Sequence, residues 1–339
     1  MKVAVIGCGN VSVMHFNALK EIPDTEIVAV ADIKPERADK KAEEYGARAY
    51  YDFDTLLENE ELDCVHICTP HYLHTPMAVK ALKKGINVLL EKPCSVSIKE
   101  IEELRAAEKE SGKQLGICFQ NRYNDCVQEA KRIIDSGEMG EVKAVRAFVT
   151  WMRDREYYSD DWHGTLDKEC GGVMINQSIH TMDLLQYLGG KCKKVTAHIS
   201  TDKFGGFIEV EDTANVLLEL ENGATAVFYA TLAFSENSDV LIELSFENKK
   251  LRIEGEKLYS IESDGKITEI TSKNDAVYHG QRYWGSGHSA LINDYYHCLK
   301  SGDKFKIDAV EGGRAAMIVA SCYESSKSGK PIEITEGAN

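Results

Sequence analysis

Apolar residues along this chain follow two different rhythms. Up to about residue 120 they come in short unbroken runs: Lys2–Ile6 (KVAVI), Glu26–Ala31 (EIVAVA), Asp63–Cys68 (DCVHIC), Ile86–Leu90 (INVLL) and Gln114–Phe119, with a shorter one at Arg48–Tyr51. Runs this short, without alternation, predict strands buried on both faces, as in a parallel sheet. Between them lie segments of helical character: one ending near Glu21, then Lys34–Tyr45, Leu73–Lys83 and Ser97–Ser111. Pro76 is tolerable only in a first turn, and Gly85 stands where a helix should stop. Strands alternating with helices at this spacing predict a doubly wound α/β domain over residues 1–120.

From about Asn121 the rhythm changes. Tyr123–Ser136 reads as a helix and Glu141–Trp151 as a strand, and Gly171-Gly172 opens a helical run over Val173–Leu188. Period-2 strands follow at Val195–Thr201, Thr213–Glu221, Ala224–Ala230, Val240–Phe246 and Lys250–Ile253, with Glu221-Asn222-Gly223 as a hairpin turn. Helices return at Gly287–Lys300 and Val310–Ser326. Residues 121–339 therefore read as an α+β domain built on one large, mostly antiparallel open sheet. A free sheet face of that size is an expected subunit interface, giving a homodimer or homotetramer through the C-terminal sheet.

Composition narrows the partners. At 339 residues, 43% apolar and 28% charged, the chain is ordinary for a two-domain globular protein. Its formal charge of −15 and its scattered Lys pairs argue against nucleic acid or an anionic membrane, which recruit clustered cations. No apolar run approaches the ~20 residues of a membrane span, and the chain opens straight into a core strand, with no signal peptide expected. Ten cysteines without CxxC pairing read as reduced, buried thiols of a cytoplasmic protein, and no metal motif is visible.

Candidate chemistry begins where the first strand ends. Gly7-Cys8-Gly9-Asn10-Val11-Ser12 leads from strand to helix, and the second strand ends on Asp32. Gly7 permits a sharp turn, Gly9 lets the backbone approach a pyrophosphate, and the helix N-terminus offers unpaired N–H groups to it. Asp32 stands where a carboxylate accepts hydrogen bonds from ribose hydroxyls, so NAD is the expected cofactor. Lys34 and Arg37 soften that preference and leave NADP open. In such sheets the site lies beyond the carboxyl ends of the strands, which here carry Gly7, Asp32, Thr69, Glu91, Lys92 and Gln120.

With these motifs the chain resembles, over essentially its whole length, the glucose–fructose oxidoreductase, inositol dehydrogenase and MocA family of NAD(P)-dependent oxidoreductases. The resemblance rests on Gly7-Cys8-Gly9, Thr69-Pro70-His71-Tyr72-Leu73-His74, Glu91-Lys92-Pro93, and Gly171-Gly172 with Asn176-Gln177-Ser178-Ile179-His180 and Asp183. It implies a Rossmann domain followed by an α/β domain with a large open sheet. It also implies a hydride exchanged between nicotinamide and a hydroxyl-bearing carbon of a sugar, inositol or sugar derivative. By the same resemblance Lys92 hydrogen-bonds the reacting hydroxyl, His180 is the general acid/base, and position 176 completes the set. Thr69, Pro70, His71, His74, Glu91 and Lys92 join Gly7, Gly9, Asn10, Val11 and Asp32 as expected cofactor contacts. Arg122, Tyr123 and Trp162, with Lys92, Asn176 and His180, are expected substrate contacts. Position 176 is usually aspartate in the family and here is asparagine, and a regular helix would put Asn176 and His180 on one face. Three alternatives stay open: an NAD-dependent glycosidase using transient sugar oxidation, a non-sugar dehydrogenase of dihydrodiol type, and a non-catalytic NAD-bound sensor.

Overall fold

The computed structural model of the protein describes residues 1–270 and 287–335. These form two compact units, residues 1–123 with 287–313 and residues 124–270 with 314–335. The sequence reading leaves 287–313 with the second domain. The fold instead returns that stretch to the first.

In the first unit the unbroken apolar runs become β1 (Lys2–Ile6), β2 (Glu26–Ala31), β3 (Arg48–Tyr50), β4 (Cys64–Ile67), β5 (Asn87–Leu90) and β6 (Leu115–Ile117). They pair in parallel in the order β3-β2-β1-β4-β5-β6. Val3, Val5, Val65, Ile67, Val88 and Leu90 are wholly buried, as strands covered on both faces require. The connections are α1 (Ser12–Glu21), α2 (Pro35–Tyr45), α3 (Phe53–Asn59), α4 (His74–Lys83) and α5 (Ile98–Ser111). Of these α3 was not anticipated. It is a two-turn helix started by Asp52, whose carboxylate accepts the Thr55 N–H at 2.7 Å.

Helix Gly287–Ser301 packs on α1 and on the sheet. Tyr295 is fully buried and donates its hydroxyl to the Val88 or Gln114 carbonyl, each at 3.0 Å. Its ring explains Gly116, where a Cβ would lie 2.8 Å from the aromatic carbons. Beyond the helix, the Ile117 N–H donates to the Ile307 carbonyl at 2.9 Å and extends the sheet edge.

The second unit is built on a nine-stranded sheet. Its strands are β7 (Ala144–Thr150), β8 (Cys192–Ser200), β9 (Thr213–Leu220), β10 (Thr225–Thr231), β11 (Leu241–Ser245), β12 (Lys249–Glu254), β13 (Lys257–Glu262), β14 (Ile267–Glu269) and β15 (Ile332–Glu333). Their order is β14-β13-β12-β11-β7-β10-β9-β8-β15, antiparallel except for the parallel β7–β10 pair. β13, β14 and β15 were not anticipated from sequence. α6 (Asp125–Asp135), α7 (Ile179–Gly189) and helix Gly313–Ser328 accompany this sheet. Ser325 and Ser326 of the last helix accept the Ala197 and Ile199 N–H groups of β8 at 3.0 and 2.9 Å.

Candidate active site

The carboxyl ends of the first unit's strands gather the expected cofactor residues. Gly7 has φ +87°, and a Cβ there would lie 2.5 Å from the Cys68 carbonyl oxygen, so the turn admits only glycine. Gly9 is different. A Cβ built on it meets no described atom within 4 Å, so protein packing does not demand glycine and the room is of the kind a ligand's phosphates fill. Asn10 and Val11 complete the turn, and the Ser12 hydroxyl donates to the Gly9 carbonyl at 2.6 Å where α1 begins. Asp32 is aimed by two backbone donors, Cys8 N–H to Oδ2 and Lys34 N–H to Oδ1, both at 2.8 Å. The carboxylate is thus locked beside the glycine turn, and the set fits a dinucleotide.

Past β4, Thr69 and Pro70 lead to the turn His71–Leu73 and α4. His74 is buried with Nδ1 2.7 Å from the Pro93 carbonyl and Nε2 2.7 Å from the Thr69 carbonyl. Its ring ties together the turns after β4 and β5 rather than presenting a nitrogen to a cofactor. Glu91 and the half-buried Lys92 follow β5. Glu91 accepts from His15 Nε2 at 2.9 Å and lies 3.6 Å from His288 Nε2. Burial alone would raise its pKa, but the hydrogen bond from His15 and the closeness of His288 outweigh it and hold the carboxyl well below its usual range. His15 Nδ1 continues to His66 Nδ1, and His66 Nε2 to the Tyr296 hydroxyl, each at 2.8 Å.

Ligand atoms of His15, Glu91 and Cys118 lie within 4.8 Å of one another, a grouping no sequence spacing announced. Burial, then the Glu91 charge, push the Cys118 thiol well above its usual pKa. It stays protonated, and the group is a hydrogen-bonded core beneath the Glu91–Lys92 turn. Arg122 and Tyr123 prove to be tied into their own unit. The buried Arg122 pairs with Glu311 at 2.9 Å, and Tyr123 donates to Asp294 at 2.7 Å.

In the second unit the double glycine is forced by its neighbours. Gly171 has φ +147° and a Cβ there would lie 2.2 Å from the Tyr323 hydroxyl. One on Gly172 would lie 1.9 Å from the Glu211 carbonyl oxygen. The buried Glu211 carboxylate accepts the Gly172 and Met174 N–H groups at 2.9 Å each and the Tyr323 hydroxyl at 2.8 Å. The run that follows is not one regular helix. Val173–Gln177 is a π-helical turn, Ser178 leaves helical geometry at φ −111° and ψ 1°, and α7 starts afresh at Ile179. The Ser178 hydroxyl donates to the Val173 carbonyl at 2.6 Å and stabilises the break. Asn176 and His180 therefore sit on either side of a discontinuity. They belong to two helical segments rather than to one regular helix, and both are half-buried among buried neighbours.

Asn176 is half-buried and donates from Nδ2 to Glu169 Oε1 at 2.6 Å. Nδ2 also lies 3.4 Å from the Tyr157 hydroxyl, to which Gln177 Nε2 donates at 2.9 Å. Glu169 is wholly buried, and its other oxygen accepts the Gly164 N–H. Burial pushes the Glu169 carboxyl up to about 7, against the pull of the Asn176 amide and the Gly164 N–H. Trp162 and His163 lie in the same loop with rings 3.9 Å apart, and His163 is paired with Asp160. Tyr157, Glu169 and Gln177 were missed by sequence reading. For Glu169 and Gln177 the one local signal was their place beside Gly171-Gly172 and Asn176, and Tyr157 had none.

Comparison with known proteins matches residues 1–119 to a family described as an oxidoreductase family with an NAD-binding Rossmann fold. Residues 127–257 match the GFO/IDH/MocA C-terminal domain. An uncharacterised oxidoreductase, YrbE, of Bacillus subtilis (strain 168) is 31% identical over 66% of this chain and 64% of its own. A D-glucoside 3-dehydrogenase of Escherichia coli (strain K12) is 27% identical over 98% of this chain and 97% of its own. Among solved structures, the WlbA dehydrogenase from Bordetella pertussis, crystallised with NADH and UDP-GlcNAcA, superposes with a TM-score of 0.86. It is 26% identical and covers 99% of both chains.

Proposed function

Because the chain belongs to the GFO/IDH/MocA oxidoreductase family, we propose that it is an NAD-dependent dehydrogenase acting on a hydroxyl-bearing carbon of a sugar, inositol or sugar derivative. The observation that carries this reading is the single sheet end where Gly7, Gly9 and Asp32 form a dinucleotide cradle and β5 delivers Glu91 and Lys92. NAD, when bound, supplies the hydride acceptor. The glycine turn and the start of α1 bind the pyrophosphate, and Asp32 accepts the ribose hydroxyls. Lys92 hydrogen-bonds the reacting hydroxyl and stabilises charge developing on its oxygen. His180 takes the proton that leaves that oxygen, a task suited to an imidazole at neutral pH. Asn176 and Trp162 hold the substrate's other groups.

Three further features complete the proposal. Leu217 and Val227, paired across β9 and β10, are 47% and 50% exposed on one face of the nine-stranded sheet, beside Phe148 and Tyr229. That face favours a homo-oligomer built sheet to sheet. The ten cysteines are all free thiols, nine of them buried, which favours a reducing, cytoplasmic setting. No helix among the described residues is long and apolar enough to cross a membrane.

The test is a panel of free sugars, inositols, glycosides and nucleotide sugars with NAD and NADP, read by the absorbance of reduced nicotinamide. Reduction of NAD by one class of these is expected. Net glycoside cleavage without reduced nicotinamide would convert the reading to the glycosidase alternative, and NAD binding without turnover to the sensor.

A further inference from the structure

We propose that Tyr296, His66 and His15 are positioning residues that keep Glu91 an anion beside Lys92, and that this buried charge favours the cationic, oxidised nicotinamide over the reduced one. That preference rests on the reading of the protein as an NAD-dependent dehydrogenase. The chain itself follows from which atoms can give a hydrogen. A carboxylate only accepts, so at 2.9 Å from Glu91 Oε1 the hydrogen sits on His15 Nε2. His15 Nδ1 and His66 Nδ1 face each other at 2.8 Å, and one hydrogen lies between them. A neutral His15 has its hydrogen on Nε2 already, which leaves this one to His66. His66 Nε2 is then bare and accepts the Tyr296 O–H at 2.8 Å.

Every donor in the chain therefore points toward the carboxylate, and each polarises the next. Tyr296, His66, His15 and Glu91 are at most 4% exposed, so water does not compete for these bonds. Burial, then the His15 charge, holds His66 well below the usual imidazole pKa, and burial holds the Tyr296 hydroxyl well above its own. Neither end of the chain ionises.

The second Glu91 oxygen accepts the Lys92 N–H at 3.3 Å and ties the carboxylate to the turn that carries the lysine. Glu91 and Lys92 act with opposite sign on both His74 and His288, so the two charges share one neighbourhood. His288 stands 3.6 Å from the carboxylate, with neither nitrogen hydrogen-bonded among the described residues. The thiols of Cys118 and Cys68 also face Glu91, and burial favours the neutral form of all three groups. Lys92 holds the reacting hydroxyl, and hydride transfer requires that carbon beside the nicotinamide. A positive ring there lies within the field of Glu91.

The chain is tested first, without cofactor. In protein carrying ¹⁵N-histidine, long-range ¹H–¹⁵N spectra at pH 8 tell protonated from bare ring nitrogens. A ¹⁵N–¹⁵N coupling across the hydrogen bond identifies the His15–His66 pair without any variant. One ring protonated on Nε2 alone and the other on Nδ1 alone is the expected result. A doubly protonated ring in that pair, or two Nε2–H rings, overturns the proposal. NADH affinity is then measured by fluorescence and NAD affinity by displacement. In Glu91→Gln the ratio Kd(NAD)/Kd(NADH) should rise about tenfold, on the scale of one unit charge in a partly buried site. His15→Leu leaves the carboxyl in place but removes its donor, so Glu91 takes up a proton and the ratio should rise in the same direction. Loss of packing alone would weaken both forms equally, and that result in the two variants overturns the charge preference. Binding of neither form by wild type removes the cofactor reading and the preference with it, while the tautomers still decide the chain.

Discussion

Lys92 and Asp32 each carry one separable part of the proposed chemistry. If Lys92 acts on the substrate oxygen as proposed, Lys92→Ala should lower kcat by at least ~10², the scale of one preorganised electrostatic group, while NAD affinity changes little. Isothermal titration with NAD beside steady-state assays checks both halves, and near-wild-type turnover would make Lys92 structural. In the same proposal Asp32 acts on the cofactor alone. Held by the Cys8 and Lys34 N–H groups, its carboxylate cannot swing away from a 2′-phosphate. The wild type should therefore prefer NAD over NADP by at least ~10-fold in kcat/KM, and Asp32→Ala should narrow that ratio. Equal ratios in the two proteins would sink the assignment.

The π-turn of residues 173–177 and the acids beneath it behave as one element. A Cβ at Gly172 collides with a backbone oxygen that has no freedom to move. Gly172→Ala should cost about 3 kcal/mol or more, and calorimetry should show a Tm roughly 10 °C lower. Gly205→Ala, with its nearest neighbour 3.4 Å away, is the control and should shift Tm little. The same element sets a pH dependence. Glu169 is raised by burial from 4.5 to about 7 in the folded chain, and Glu211 is raised by burial as well. Between those values the folded state holds a proton that the unfolded state has released. Glu169's contribution is thus complete below pH ~4.5 and is lost as pH rises through 7, a span worth about 3 kcal/mol. Urea unfolding of Glu169→Gln across this range should show a flatter profile than wild type, and parallel profiles would contradict the assignment.

At the scale of the whole molecule, the exposed stripe of Leu217 and Val227 is the feature that monomeric folding does not explain. Leu217→Arg with Val227→Glu should leave the second unit's core untouched, because both side chains point off the buried face. Sedimentation velocity should then show a smaller species than wild type. A wild-type monomer at working concentration would remove the interface altogether.

The sequence by itself determined the elements whose reasons are local. Unbroken apolar runs could only be buried parallel strands, and the Gly7–Gly9 turn with Asp32 declared a dinucleotide cradle, because each part acts within some thirty residues of chain. The tertiary structure alone decided what depends on distant partners. Residues 287–313 joined the first unit because Tyr295 packs on Gly116 and Tyr296 meets His66, contacts that no periodicity records. The expected helix through Asn176 and His180 broke because Glu211 and Tyr323 hold Gly171 and Gly172 from outside it, and Ser178 satisfies the resulting turn. The carboxylate beside position 176 was likewise invisible. It comes from Glu169, seven residues earlier, and only the folded loop buries it against the amide. Local rules fix period and turn chemistry, whereas the protonation and orientation of a buried side chain depend on which groups the chain brings back to surround it.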